Sequence, residues 1–221
     1  MALTVHWLGR LAFDEALDVQ ETAAEAAAAG QESLLLLEHT AVYTTGRGGD
    51  AAHLPSAAML KASGIALHRI ARGGAVTYHG PGQLIGWPIL DLRRRGGDAH
   101  ALLRTLEGAL IGILASFEIP AGRRPGLTGV WTIDERPRKL ASIGIAVRRG
   151  VTRHGFALNV ERRSLEGFGA IVACGLKGVE MGSLESERPD RLWDVAAVAG
   201  LAGPVLQDFL GTKPEPPFAS P

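Results

Sequence analysis

The chain has 221 residues, 46% hydrophobic and 21% charged, the make-up of a globular protein large enough for one sizeable core. Its formal net charge is zero, so no whole-molecule field favours nucleic acid, and any charged partner must be recognised locally. A single cysteine excludes an internal disulfide. With no basic-then-apolar leader between Met1 and Arg10, and no unbroken apolar run (Leu34 to Leu37 among them) near the length of a bilayer span, the expectation is a cytoplasmic chain with no membrane segment.

Leu3 to Leu8 is short and β-prone. Ala12 to Ala29 is rich in Ala and Glu and stops at Gly30, which predicts a helix. Ser33 to Glu38 and Ala41 to Thr45 read as strands, followed by the loop Gly46-Arg-Gly-Gly-Asp50. Pro55 to Ala62, closed by Gly64, reads as a helix, and Ile65 to Ile70 alternates as a half-buried strand does. Ala75 to His79 and Leu84 to Leu92 are predicted strands around Gly80-Pro-Gly82.

Asp98 is placed to cap a helix reaching about Phe117. Gly129 to Ile133 and Lys139 to Val147 predict a hairpin around Asp134 to Pro137, and Val151 to Val160 follows the turn Arg148-Arg-Gly150. Leu192 to Leu210 is helical in composition but interrupted by Gly200, Gly203 and Pro204. The pattern predicts an α/β protein of the α+β type with a mixed, largely antiparallel sheet. It is organised as one domain over 1–212 with a loose proline-rich tail at 213–221.

Chemistry concentrates after Ile70. Residues Arg72 to Gln83 read RGGAVTYHGPGQ: glycines that let a backbone approach a ligand, beside Arg72, Thr77, Tyr78 and His79. The same letters serve an ordinary hairpin. Neither GxGxxG nor GxxxxGK[ST] occurs, so the segment is not a dinucleotide or phosphate loop of those kinds. Cys174 lies in the small-residue stretch Ala173-Cys174-Gly175. A lone cysteine can be a packing residue or, as a thiolate, a nucleophile; the second needs a nearby cation or base.

RGGAVTYHGPGQL (Arg72 to Leu84), KLASIG (Lys139 to Gly144), HGFALNV (His154 to Val160) and CGL (Cys174 to Leu176) resemble, in order and spacing, the signatures of the octanoyltransferase family of lipoate biosynthesis. The resemblance implies a biotin/lipoyl-ligase-like fold. It also implies a mechanism: Cys174 takes an octanoyl group from octanoyl-acyl carrier protein as a thioester and passes it to a lysine of an apo-lipoyl domain. The acceptors would be the E2 subunits of 2-oxoacid dehydrogenases and the glycine cleavage H protein.

Lys139 is implied as the partner of Cys174. As an ammonium it would favour the thiolate; as a neutral amine it would take a proton from the incoming lysine. The implied substrate positions are Arg72, Gly73, Gly74, Ala75, Val76, Thr77, Tyr78 and His79; Ser142, Ile143 and Gly144; and Gly155, Phe156 and Ala157. His79 and His154 read equally as site or as buried structural residues. No metal or cofactor is called for.

The basic stretch Arg136, Arg138, Lys139, Arg148, Arg149 and Arg153 suggests a dock for an acidic carrier, or solvated turns. The competing functions are an ATP-dependent lipoate–protein ligase, which shares the fold but has no need of Cys174, and a non-catalytic module that holds an acyl chain.

Overall fold

The most apolar run of the chain becomes strand β2 (Ser33–His39), buried at every position in the computed structural model, which describes residues 3–172 and 178–211. Side chains alternate across a strand, so complete burial requires cover on both faces. Leu34 and Leu36 enter one core, and Leu35 and Leu37 enter another, which α1 (Phe13–Ala28) covers with Phe13, Ala16, Ala24 and Ala27. The first core is covered by α3 (Ala99–Ser116) and α5 (Val195–Gly211).

β2 belongs to a seven-stranded sheet with β1 (Thr4–Leu11), β6 (Gln83–Ile89), β7 (Ala121–Arg124), β8 (Leu127–Thr132), β9 (Lys139–Arg148) and β10 (Val151–Asn159). The order is β1-β2-β6-β10-β9-β8-β7, and only β1 and β2 run parallel. A three-stranded sheet, β4-β3-β5, is made from β3 (Val42–Thr45), β4 (Ala66–Arg69) and β5 (Val76–His79). It sits on the α1 side of the large sheet: Ile70 joins the α1 core, and His68 packs against Phe13 with ring centroids 5.0 Å apart and the planes tilted by 50°. The mixed, largely antiparallel sheet with packed helices is the fold class expected from sequence.

Caps follow the expected chemistry. The Asp98 carboxylate accepts from the N–H groups of His100 and Ala101 at 2.8 and 3.0 Å, starting α3. Ser56 caps α2 (Ala57–Ser63), which ends on Gly64 in the left-handed region. By length and composition α3 would match a membrane span, but here it is a core helix, with Leu102, Leu106, Leu110, Ile113 and Leu114 packed inside.

Several boundaries differ from the sequence reading. The strand ending at Leu92 stops at Ile89, because Asp91 turns the chain by accepting from the Arg93 N–H at 3.1 Å. β7, the 3₁₀ segment Arg162–Ala170 and the short α4 (Leu184–Glu187) carry too little periodicity to be seen. α5 begins at Val195, behind the Asp194 side chain that accepts from the Ala197 N–H, and runs unbroken through Pro204. The residue before a proline resists the helical region through its Cβ; Gly203 has none. The tail called at 213–221 lies outside the described residues.

Candidate active site

Two of the segments singled out in sequence meet as neighbours. Ser142, Ile143 and Gly144 on β9 pair with Ala157, Phe156 and Gly155 on β10. The Arg72–Gly74 loop comes down onto β9, where the Gly73 N–H donates to the Ile145 carbonyl at 3.0 Å. A glycine on β9 suits that approach: a Cβ at Gly144 would sit 3.0 Å from the Gly73 carbonyl oxygen and press the loop outward.

Between the loop and the strands lies a cavity of about 240 Å³. An apolar cavity of roughly 150 Å³ can take up a benzene ring, so there is room here for an unbranched acyl chain. Arg72, Gly73, Gly74, Ala75, Val76, Thr77 and His79 line it from one side, and Ser142, Ile143, Gly144, Gly155, Phe156 and Ala157 from the other. Tyr78, one strand position out of phase, does not line the cavity. It packs against Tyr43 and Phe168 on the opposite face. Phe13, Ile70, Trp87, His154 and the β7–β8 turn Gly126, Leu127 and Thr128 complete the walls.

Lys139 reaches this cavity although it is 3% exposed. Its amine lies 5.1 Å from the centroid of the Trp131 ring. Its stem fills the space beside Gly129, which has φ +118°; a Cβ there would stand 2.7 Å from Lys139 Cε. The Gly129 N–H donates to the fully buried Glu107 carboxylate at 3.0 Å, and Arg104 and Arg123 donate to the same carboxylate. A lysine buried to this degree in a cavity wall is the kind of residue that a functional site retains at a cost in stability.

A chain of hydrogen bonds runs in one direction behind the cavity. Arg72 donates to Thr44 Oγ1 at 2.9 Å, Thr44 Oγ1 lies 3.4 Å from His79 Nε2, and His79 Nδ1 lies 2.8 Å from Gln83 Oε1. Gln83 Nε2 donates to Asn159 Oδ1, and Asn159 Nδ2 to the Gly182 carbonyl, both at 2.9 Å. Gly182 then donates its N–H to the Lys139 carbonyl, and the Lys139 N–H donates to Glu180. Because Gln83 spends its amide on Asn159, its oxygen faces His79 and sets the Nδ1–H tautomer. The glycine-rich loop and the Lys139 strand are thereby braced against each other.

Burial pushes His79 down to about 3 and both His39 and His154 down to about 4, so all three are neutral at pH 7. His39 and His154 flank Trp87 at 5.4 and 5.8 Å between ring centroids. His154 also holds φ +57°, a conformation that a non-glycine residue adopts at a cost. The Thr77 hydroxyl is buried with no hydrogen-bond partner among the described residues, so it can serve a ligand.

Sequence reasoning did not find Phe13, Trp87 or the 126–128 turn, which carry no chemical signature of their own. Cys174 lies outside the described residues. No group of three metal-ligating side chains occurs among the described residues.

The sequence profile of the lipoyl protein ligase A/B catalytic domain matches residues 12–200. An octanoyltransferase of Geotalea uraniireducens is 53% identical over 182 residues, covering 81% of this chain and 80% of that protein. An octanoyltransferase of Geobacter sulfurreducens is 44% identical over 212 residues, covering 95% and 86%. Among solved structures, a bi-partite lipoate protein ligase from Thermoplasma acidophilum superposes with a TM-score of 0.71 at 16% identity, covering 96% of this chain and 84% of that one. At that identity the likeness is one of fold.

Proposed function

The chain belongs to the lipoyl protein ligase A/B catalytic domain family, and from that premise we propose that it is an octanoyltransferase that acylates lipoyl domains through Cys174. The observation that carries the reading is the cavity. Most of its lining residues are positions marked by the family signatures, and a buried lysine stands among them.

In the proposed first half-reaction the Cys174 thiolate attacks the carbonyl of octanoyl-acyl carrier protein, and the carrier thiol leaves with a proton. In the second, the lysine amine of a lipoyl domain, on an E2 subunit or the H protein, attacks the octanoyl-Cys174 thioester. An amide forms and the thiol is restored. Exchange between thioesters is nearly balanced, while amide formation runs downhill, so the cycle needs no ATP.

Lys139 supplies the cation beside the thiol; its strand is hydrogen-bonded to Glu180, a short stretch of chain beyond Cys174. The acyl chain lies against Val76, Ile143 and Phe156, with the neutral His79 and His154 adding no charge to the wall. We place this activity in the cytoplasm, where a free thiol persists.

The test is transfer to an apo-lipoyl domain from octanoyl-acyl carrier protein in the absence of ATP. Octanoylation of the domain supports the reading. Modification only with free octanoate and ATP would make the chain a ligase.

A further inference from the structure

Most described arginines are held by a carboxylate of this chain. Arg138 pairs with Asp134 and Glu187, and Arg148 and Arg153 with Glu21, so much of the basic stretch noted in the sequence is already neutralised at home. Arg136, Arg149 and Arg162 have no such ion pair but belong to no segment that lines the cavity, whereas Arg47, Arg69 and Arg124 stand beside segments that do. All three are exposed, and among the described residues no carboxylate lies within ion-pair distance of any of them.

These three arginines flank the cavity on two sides. The Arg47 N–H donates to the Arg72 carbonyl and the Gly48 N–H to the Gly74 carbonyl, both at 3.1 Å, which fastens the 46–48 loop to residues that line the cavity. Arg69 precedes Ile70, another lining residue, whose N–H donates to Thr45 at 2.9 Å. Arg124 pairs with Leu127 across the β7–β8 turn, and its guanidinium stands 5.3 Å from the centroid of the same Trp131 ring that carries the Lys139 amine. Asp14 lies 3.6 Å from His68, the chain neighbour of Arg69, and Asp50, three residues beyond Arg47, caps the Ala52 N–H.

A chain of zero net charge thus keeps unneutralised cations around the mouth of its cavity. Charge of one sign around a cleft focuses the field there and steers an oppositely charged partner. We propose that Arg47, Arg69 and Arg124 form the docking surface for the acidic face of the protein that carries the donor thioester. This rests on the octanoyltransferase reading. The partner's chemistry is an anionic surface bearing a phosphodiester-linked thioester arm: the surface engages the rim while the acyl end enters the cavity. The Gly46-Arg47-Gly48 loop, which the catalytic chemistry leaves unused, then has a function.

The test compares donors. Acylation of Cys174 is followed by intact mass with octanoyl-acyl carrier protein and with the neutral octanoyl-N-acetylcysteamine thioester, for the wild type, Arg47→Glu/Arg69→Glu, Arg124→Glu and the control Arg136→Glu/Arg149→Glu. The expected result is a tenfold or greater rise in KM for the carrier in the rim variants at low salt, shrinking as salt screens the charges. Arg47→Glu/Arg69→Glu keeps wild-type rates with the neutral thioester, and the control keeps its carrier KM. An unchanged carrier KM in the rim variants, an equal loss with both donors, or a rise confined to the KM for the lipoyl-domain acceptor would overturn the proposal. A wild type that the carrier thioester cannot acylate, but that modifies a lipoyl domain with octanoate and ATP, removes the octanoyltransferase reading and the docking surface with it.

Discussion

The Lys139 amine rests over the Trp131 ring, 5.1 Å from its centroid, while Gly129 leaves open the space that the lysine stem occupies. A cation over an indole face gains about 0.5–2 kcal/mol according to its exposure. Two substitutions should therefore loosen Lys139 without touching it. Trp131→Leu is expected to slow octanoylation of Cys174 about threefold to thirtyfold. Gly129→Ala should slow it more, since its methyl meets both the lysine stem and the Ala141 carbonyl. Rapid-quench acylation rates, read beside thermal melts that certify the fold, would check both. Rates equal to wild type would mean that the ring and the glycine do not position the amine.

The hydrogen-bond chain makes a second prediction. Asn159→Ala strands the buried Gly182 carbonyl, at about 1–3 kcal/mol, and leaves the Gln83 amide only its long bond to the Tyr78 carbonyl at 3.4 Å. Asn159→Asp still accepts from Gln83 but sets a buried carboxylate oxygen against the Gly182 carbonyl, so at neutral pH its loss should be larger than that of Asn159→Ala. Denaturant unfolding gives the order. If Asn159→Ala is as stable as the wild type, the chain is not a brace.

Three buried histidines predict a pH dependence of stability. His39, His79 and His154 titrate in the folded protein at about 4, about 3 and about 4, against an ordinary value of about 6.5 in the unfolded chain. Below about 6.5 the unfolded chain therefore takes up protons that the folded protein refuses until about 4. Stability is complete above that range and falls as pH drops through it, at about 1.4 kcal/mol per unit for each histidine once its unfolded form is charged. The carboxylates held low by arginines, such as Asp91 and Glu21, act at still lower pH. Melting temperatures between pH 7.5 and 5 should fall, and His154→Phe should flatten the slope. A flat wild-type profile over that interval would contradict the neutral-histidine core.

The cavity wall predicts a change in chain-length preference. Ala157 is 4% exposed and lines the cavity. Ala157→Leu adds three carbons to that wall. With each methylene of the substrate worth about 0.8 kcal/mol of burial, displacing two of them should shift the hexanoyl-to-octanoyl ratio of kcat/KM by tenfold or more toward hexanoyl. Competition between the two carrier thioesters measures the ratio. An unchanged ratio would place the acyl chain elsewhere.

Much of this was legible in the sequence, because the site is built from segments whose spacing and glycines carry information. Arg72–Thr77 with His79, Ser142–Gly144 and Gly155–Ala157 converge on one cavity because β9 and β10 pair in register and the loop descends on them. Tyr78 was misplaced because a contiguous segment on a strand faces both ways. Phe13, Trp87 and the β7–β8 turn were invisible for a different reason: apolar and turn residues at a site look like those anywhere else. The ion pairs that neutralise Arg138, Arg148 and Arg153 join distant parts of the chain, so only the fold separates held charge from the rim. Pro204 was read as a break because composition does not reveal that Gly203 relieves its clash.

The most direct test of the account is intact mass spectrometry of the protein mixed with octanoyl-acyl carrier protein, without ATP. One added octanoyl group is expected. The adduct should be absent from Cys174→Ala, slow to form on Lys139→Met, and lost when an apo-lipoyl domain is added as the domain gains the same mass. A wild type that stays unmodified while the lipoyl domain is octanoylated, or an adduct that survives in Cys174→Ala, would contradict transfer through Cys174.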